Sequence, residues 1–445
     1  MANKYDVVIA GAGMAGCLAG RDLARKGWKV ALLDRRPRAH IGHNWWDSIV
    51  LEAFDEVGLP MPEPPERMLP TNELTAYSPL ETTTMIVPLN PAKANINRRL
   101  LADRMLKYAI EAGVDFFDET AVLGPLSENS VVTGLVARDK NNPEIKFEAK
   151  LTMDATGLPA PLRKNTSNPA FPRYINRWET FVTYREIRDN TDGSDKSTMI
   201  FGKDNGVVWV KRSQPGLVDI FAGVINIEGR PKPREILKEI LAKEKGVGNK
   251  IVMGGYGAPL PVRRCLDSFV APGLVLCGDS ACQCNPIDGS GMASTMRAAR
   301  FAAISMDAAL RNGRTDVEAL WQYNAAYKST QGAKFAALNL IQRFMVSQPK
   351  QRFELLFKRS IIDPKAFWGT GSSGSKESKL DKIKKLLKLV DKPSLISSLI
   401  TMTNSMKDIE EHYKNFPEKF SQSEFDLWRD GTESILNRFP EVRKY

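Results

Sequence analysis

A chain of 445 residues, 42% of them hydrophobic, buries a large core and holds about two or three domains at roughly 150 residues each. Its formal charge of +11 favours an acidic partner, nucleic acid or an anionic lipid surface, while the lack of any run of about 18 apolar residues excludes an ordinary spanning helix. Five cysteines (17, 265, 277, 282 and 284) make no disulfide framework, and the N-terminus lacks a signal-peptide pattern, so a reducing, cytoplasmic setting is expected.

In chain order, residues 5–10 read as a buried parallel strand, residues 14–26 as a helix stopped near Gly27, and residues 29–34 as a second strand. A further helix is expected from about Asn97 to Ala112, stopped by Gly113 and followed by a strand at 114–117. From roughly 170 to 260 the runs turn β-like, as in 179–184 and 206–210, and imply a second, mainly antiparallel sheet. The α/β signal returns at 273–279, and beyond about 290 the chain reads as helical. The expected fold class is therefore α/β: a three-layer Rossmann-like domain (1–165 and 260–330) interleaved with a β substrate domain (166–259), then a helical region (331–445) with a linker near 369–375.

Gly11-Ala12-Gly13-Met14-Ala15-Gly16 follows the first strand, opens the helix and precedes Asp34 by about 20 residues, the full context of a dinucleotide fingerprint. Gly11 permits the tight turn, Gly13 lets backbone approach a diphosphate, Gly16 lets helix and strand pack closely, and Ala15 sits in the first helical turn. Asp34 is placed to accept hydrogen bonds from ribose hydroxyls. Gly369-Thr370-Gly371-Ser372-Ser373-Gly374 matches the same expression without strand or helix and reads as the linker, so no second dinucleotide site is expected. The fingerprint alone does not separate NAD from FAD.

Asp154-Ala155-Thr156-Gly157 followed by Arg163, and Cys277-Gly278-Asp279-Ser280-Ala281 followed by Asn285-Pro286-Ile287-Asp288-Gly289-Ser290-Gly291-Met292, resemble the later flavin-binding motifs of the p-hydroxybenzoate hydroxylase-like oxidoreductases. Within that group the chain is similar to the geranylgeranyl reductase family over roughly residues 1–330. The resemblance implies FAD, held by Gly11, Gly13, Ala15, Gly16, Asp34, Arg99, Gly278, Asp279, Gly289, Gly291 and Met292. Physically, Asp279 at a strand end suits ribityl hydroxyls, and the 289–291 glycines at a helix start offer N–H groups to an electron-rich ring edge. Arg98 and Arg99 both have a second reading as solvated helix residues.

Two departures stand out. The family's Tyr-x-Trp-x-Phe-Pro motif reads Val207-Val208-Trp209-Val210-Lys211-Arg212 here, so that Trp209 alone survives, as cavity wall or as sheet packing. Where the family often has a cysteine near the flavin, this chain has Ile41-Gly42-His43-Asn44-Trp45-Trp46-Asp47-Ser48. His43 and Asp47 are the candidate proton donors, with a bound water as the third, and Trp45, Trp46 and Trp209 are candidate substrate-binding residues. His43 also reads as an ordinary loop histidine. Three histidines without zinc-type spacing argue against a metal, and Cys282-Gln283-Cys284 reads as two buried thiols facing opposite ways.

Residues 376–392 carry seven lysines against Glu377, Asp381 and Asp391, with Leu380, Ile383, Leu386, Leu387 and Val390 at helical spacing. Such a helix suits either the inner face of an anionic membrane or a solvated surface, and lacks the aromatic interleaving of a nucleic-acid site. The resemblance implies a reductase that saturates carbon–carbon double bonds of an isoprenoid lipid, with electrons from NAD(P)H or a ferredoxin-like protein. The alternatives are an aromatic monooxygenase or halogenase using NAD(P)H and oxygen, or a flavin-containing sensor.

Overall fold

The computed structural model describes residues 3–89, 92–361 and 388–438. Along the chain, β1 (Asn3–Ala10), α1 (Met14–Ala24) and β2 (Val30–Leu33) form the opening βαβ unit. Next come β3 (Trp46–Val50), α2 (Glu52–Glu56), β4 (Arg67–Met68), β5 (Glu73–Tyr77), β6 (Thr84–Pro88), β7 (Lys93–Asn97) and α3 (Arg98–Glu111). They are followed by β8 (Asp115–Phe117), β9 (Ala121–Glu128), β10 (Val131–Arg138), β11 (Ile145–Asp154) and α4 (Pro161–Lys164). The second half opens with β12 (Thr180–Asn190), β13 (Thr198–Phe201), β14 (Gly206–Gln214), β15 (Leu217–Ile225), α5 (Pro233–Lys243), β16 (Val247–Tyr256) and β17 (Pro259–Pro261). Then β18 (Val270–Ala271) and β19 (Leu274–Leu276) lead into α6 (Met292–Arg311), α7 (Val317–Tyr327), α8 (Ala333–Ser347), α9 (Lys350–Lys358), α10 (Pro393–Lys414) and α11 (Gln422–Leu436).

The α/β class with a second antiparallel sheet and a helical C-terminal region is borne out. The nucleotide-type sheet runs β18-β19-β11-β1-β2-β8, parallel from β19 to β8, with β10 and β9 added antiparallel on β11. Its central strands are apolar on both faces and wholly covered: Val7, Val8, Ile9 and Leu32 have no exposed surface. Asn97 caps α3 by accepting from Arg99 N–H at 3.1 Å and Leu100 N–H at 3.3 Å, and Gly113 ends that helix region at φ +101.

The second sheet runs β16-β12-β15-β14-β13-β5-β6, with β17 on β12. Its strands come from more of the chain than the segment 166–259. The β5–β6 hairpin of the first segment joins it through parallel pairing of β5 with β13, and β17, assigned from sequence to the returning segment, pairs with β12. Hydrogen bonding between strands distant in sequence decides this, and no local pattern reports it. A third sheet, β3-β7-β4, bridges the two.

Helices α7 and α8 are joined through a wide turn at 328–332 that buries Lys328 completely. Its ammonium donates to the Leu266 carbonyl and faces the rings of Phe269, Tyr413, Phe416 and Trp428, which ties α10 and α11 to the body. The expected linker at 369–375 and most of the basic stretch 376–392 lie outside the described residues. Among the described residues, no helix is long and apolar enough to cross a membrane.

Candidate active site

At the end of β1 the chain turns through Gly11 at φ +99, where a Cβ would lie 2.5 Å from Ala155 O. The turn is held by Asp34: Oδ2 accepts from Ala12 N–H at 2.9 Å, while Oδ1 accepts from Arg36 N–H at 2.9 Å. A Cβ on Gly16 would stand 2.0 Å from Gly11 O, so α1 starts against the turn only because glycine is there. Gly13, the residue before α1, has open space where its Cβ would be. The first turn of α1 has no acidic side chain and no capping hydrogen bond, so its N–H groups and positive helix end face this space. These features fit a diphosphate.

The second half of the site is built by β11 and β19. Asp154, fully buried, accepts from Thr156 N–H and Oγ1 and from the N–H groups of Leu162 and Arg163, which folds Ala155–Gly157 into the wall. Ser280 Oγ donates to Asp154 O at 2.6 Å and locks the next turn to it. That turn presents Asp279, whose carboxylate lines the cavity, engages no protein donor among the described residues, and is pushed by burial up to about 6, against the pull of Arg98. Gly278 and Gly289 both take positive φ, and Gly291 precedes α6, whose first turn also lacks an acidic residue or a side-chain cap. Two helix N-termini and one unpaired carboxylate thus converge on one cavity. An FAD molecule needs these groups: donors for its diphosphate, an acceptor for its ribityl hydroxyls, and N–H groups at the ring edge.

The cavity measures about 1640 Å³ and is lined by Gly11, Gly13, Ala15, Asp34, Gly278, Asp279, Gly289, Gly291 and Met292 from the flavin motifs. His43, Trp45, Trp46, Asp47 and Trp209 line it too. Gly16 packs behind the wall. Arg99 also stands apart: it donates to the Ala39 carbonyl, and its neighbour Arg98 lines the cavity instead. Successive helix positions are rotated by about 100°, so only one of the pair can face inward, and the structure corrects the choice.

His43, Trp45 and Tyr256 stack into one wall, with ring centroids 4.4 Å apart for the first pair and 4.7 Å for the second. Burial, and then the Arg98 charge, push the His43 imidazole down to about 3. Asp47 accepts from Arg98 Nη1 at 2.9 Å, Arg185 Nη1 at 2.7 Å and Trp45 Nε1 at 3.1 Å. Burial alone would raise its carboxyl, but Arg185 and Arg98 outweigh that and hold it at about 2. Both shifts act against the role of proton donor expected of these residues. At neutral pH His43 is an uncharged imidazole and Asp47 a carboxylate.

Sequence reading missed the rest of this wall. Arg185 makes two bonds to Asp219, Nε at 2.8 Å and Nη2 at 2.6 Å, and donates to Trp46 O at 2.8 Å. Trp209 donates to Asp219 at 3.2 Å, stacks on Phe221 at 3.9 Å and carries the Lys211 ammonium 4.1 Å from its centroid. The available signal was strand alternation: Arg185, Trp209, Lys211, Asp219 and Phe221 all fall on the face that lines the cavity. All five cysteines are buried and free, and Cys282 takes φ +56, which puts a turn rather than an extended strand at Cys282-Gln283-Cys284. Among the described residues no three His, Cys, Asp or Glu side chains cluster as a metal site.

Comparison with known proteins agrees with this geometry. The family of FAD-dependent oxidoreductases matches residues 6–56, from the βαβ unit through β3 and α2. Digeranylgeranylglycerophospholipid reductase of Sulfolobus acidocaldarius is 29% identical over 98% of both chains. A geranylgeranyl bacteriochlorophyll reductase-like protein of Thermoplasma acidophilum has the same fold with a TM-score of 0.75 at 18% identity, covering 90% of this chain and all of that one. A flavin-dependent brominase superposes with a TM-score of 0.61, also at 18% identity, over 90% of this chain and 99% of its own. From its motifs, its fold and these likenesses, the chain is an FAD-dependent oxidoreductase similar to the geranylgeranyl reductases.

Proposed function

We propose that the protein hydrogenates carbon–carbon double bonds of isoprenoid chains carried on a lipid. The observation that carries this reading is the continuity of one cavity from the glycine turn, past Asp279, to a wall of Trp45, Trp209, Phe221 and Phe181, joined to likeness along nearly the whole chain with a reductase of that substrate class. A side pocket of about 50 Å³ shares Phe181 and Ile287 with the cavity and is lined by Val207, Ile225, Val262, Met345 and Phe353. It extends the apolar surface on which a prenyl chain rests.

Bound FAD, once reduced, supplies the hydride. The chain's own residues do the rest. The Gly11–Gly16 turn, Asp34 and Asp279 hold the cofactor by its diphosphate and hydroxyls. Arg98 takes the place expected of Arg99 on the cavity wall. The His43–Trp45–Tyr256 stack and the Trp209–Phe221 pair keep the reacting end dry and align the alkene. Asp47, Arg98, Arg185 and Asp219 cross-link the aromatic walls and fix their spacing. With His43 neutral and Asp47 ionised, the proton comes from water, the third candidate. Electrons come from NAD(P)H or a ferredoxin-like protein, and the basic 376–392 stretch makes the peripheral contact with anionic lipid.

The test is direct. The purified protein is reduced anaerobically, given a geranylgeranyl lipid, and followed by flavin reoxidation and product mass. A gain of two hydrogens per double bond supports the proposal. Substrate-stimulated NAD(P)H consumption with oxygen incorporated into the product would replace it with the monooxygenase or halogenase reading that the brominase-like fold also accommodates.

A further inference from the structure

The face of the second sheet that lines the cavity changes polarity in steps, and strand register orders them. Phe181 of β12 lies opposite Ile225, and the next level pairs Thr183 and Val207 with Gly223. The third level sets Arg185 and Trp209 on either side of Phe221, and the fourth sets Lys211 opposite Asp219. Levels on one face repeat every two residues, so the apolar end at Phe181 and the charged end at Lys211 stand about 20 Å apart. The side pocket opens at the Phe181 end.

At the charged end the partners are unequal. Asp219 is spent on Arg185 and Trp209, and Asp47 on Arg185, Arg98 and Trp45. Among the described residues no hydrogen bond or ion pair engages the Lys211 ammonium, which rests on the Trp209 ring. Lys93 of β7 lines the same cavity and is close enough to repel it. Two lysines and two arginines thus face two carboxylates that are already paired. Sequence makes the point sharper, because Lys211 occupies the phenylalanine position of the Tyr-x-Trp-x-Phe-Pro pattern. A cation inside an apolar cavity is costly unless a counter-charge arrives.

Resting on the proposed function, we infer that Lys211, with Lys93, is the subsite for a phosphate group of the substrate, so that the substrate lies with its anionic end at Lys211 and its prenyl chain running past Trp209 toward Phe181. Burial lowers the Lys211 ammonium to about 8, with Arg185 and Lys93 adding to the fall and Asp219 and Asp47 opposing it. The group is therefore charged at pH 7 and largely neutral at pH 9, and a bound phosphate restores its charge.

The test uses FAD-loaded protein in its oxidised form, with ligand binding read from the perturbed flavin absorbance rather than from turnover. The probes are geranylgeranyl diphosphate, a geranylgeranyl phosphoglycerolipid, geranylgeraniol and inorganic pyrophosphate. The wild type binds one or both phosphate-bearing lipids at least about tenfold more tightly than the alcohol, and which of them shows the preference identifies the source of the phosphate. Lys211→Gln removes that preference, Lys211→Arg keeps most of it, and affinity for geranylgeraniol changes less than about twofold in either. The wild-type preference also falls between pH 7 and pH 9, and the Lys211→Gln protein shows no such fall. Equal losses for alcohol and phosphate-bearing lipid, or no loss at all, would overturn the subsite. So would pyrophosphate binding alone as tightly as the lipids, since the site would then hold a free anion. If the alcohol binds and is reduced without any head-group preference, the inference fails while the proposed function stands. If no prenyl compound binds, the proposed function fails first.

Discussion

A side chain at Gly16 would place its Cβ 2.0 Å from the carbonyl oxygen of Gly11, whereas at Gly13 a Cβ meets no atom within 4 Å. The two fingerprint glycines therefore answer to different forces, one to packing of the folded chain and the other to the room a diphosphate needs. Gly16→Val should destabilise the cofactor-free protein by about 1–3 kcal/mol or more through overpacking against backbone. Gly13→Val should leave its thermal unfolding nearly unchanged and abolish FAD uptake. Thermal scans of the apoprotein with flavin-quenching titrations separate the two, and a Gly13→Val protein that takes up FAD normally would sink the placement of the diphosphate.

Asp279 sets up an opposition between stability and cofactor binding. Its carboxyl ionises at about 6 in the fold against an ordinary 3.8, because burial penalises the charge. The penalty is absent below about pH 4 and complete above about pH 6, so it lowers apoprotein stability at neutral pH. Asp279→Asn should raise the apoprotein Tm at pH 7, with the gain vanishing as pH falls toward 4. The same variant should bind FAD about tenfold or more weakly, having lost a charged acceptor. A variant with unaltered FAD affinity would remove Asp279 from the ribityl contact.

Arg185 and Asp219 are both almost wholly buried and form a bidentate pair, while Asp47, the second partner of Arg185, keeps 30% of its side-chain surface exposed. Asp219→Ala removes the bidentate partner of a buried guanidinium, leaving it only Asp47 and the Trp46 carbonyl, and should cost about 3 kcal/mol in urea unfolding. Asp47→Ala leaves the bidentate pair intact and should cost clearly less. Equal losses would mean that the wall is held by Asp47 as firmly as by Asp219.

The chain has three histidines, so His43 can be followed individually by NMR titration. Burial comes first and the Arg98 charge second in holding it near 3. Arg98→Met should raise the His43 pKa while leaving it below the usual imidazole range, because burial persists. A His43 that titrates near 6.5 in the wild-type protein would restore it as a proton donor.

The class of cofactor came from the resemblance of the later motifs; what could be read locally was the βαβ unit, the roles of its glycines and the Asp279 turn. Each rests on a few neighbouring residues whose backbone demands are visible in their types: glycine where φ is positive or packing is close, an acid at a strand end, an uncapped helix start. The inward member of the Arg98–Arg99 pair was not visible, since it depends on how α3 is rotated against β3. Nor was the β5–β6 hairpin's place in the second sheet, which is a choice of distant hydrogen-bond partners.

A dinucleotide turn after the first strand is legible from neighbouring residues, because that information is short-range, and the flavin came from the resemblance of the 154–163 and 277–292 motifs. The rest of the cavity took its meaning from three-dimensional packing. Residues 47, 98, 185, 211 and 219 come from five elements, and their charges acquire meaning only when the fold sets them on one wall. Electrostatic interaction depends on distance through space and on exclusion of water, and neither is written in the spacing of residues along a chain.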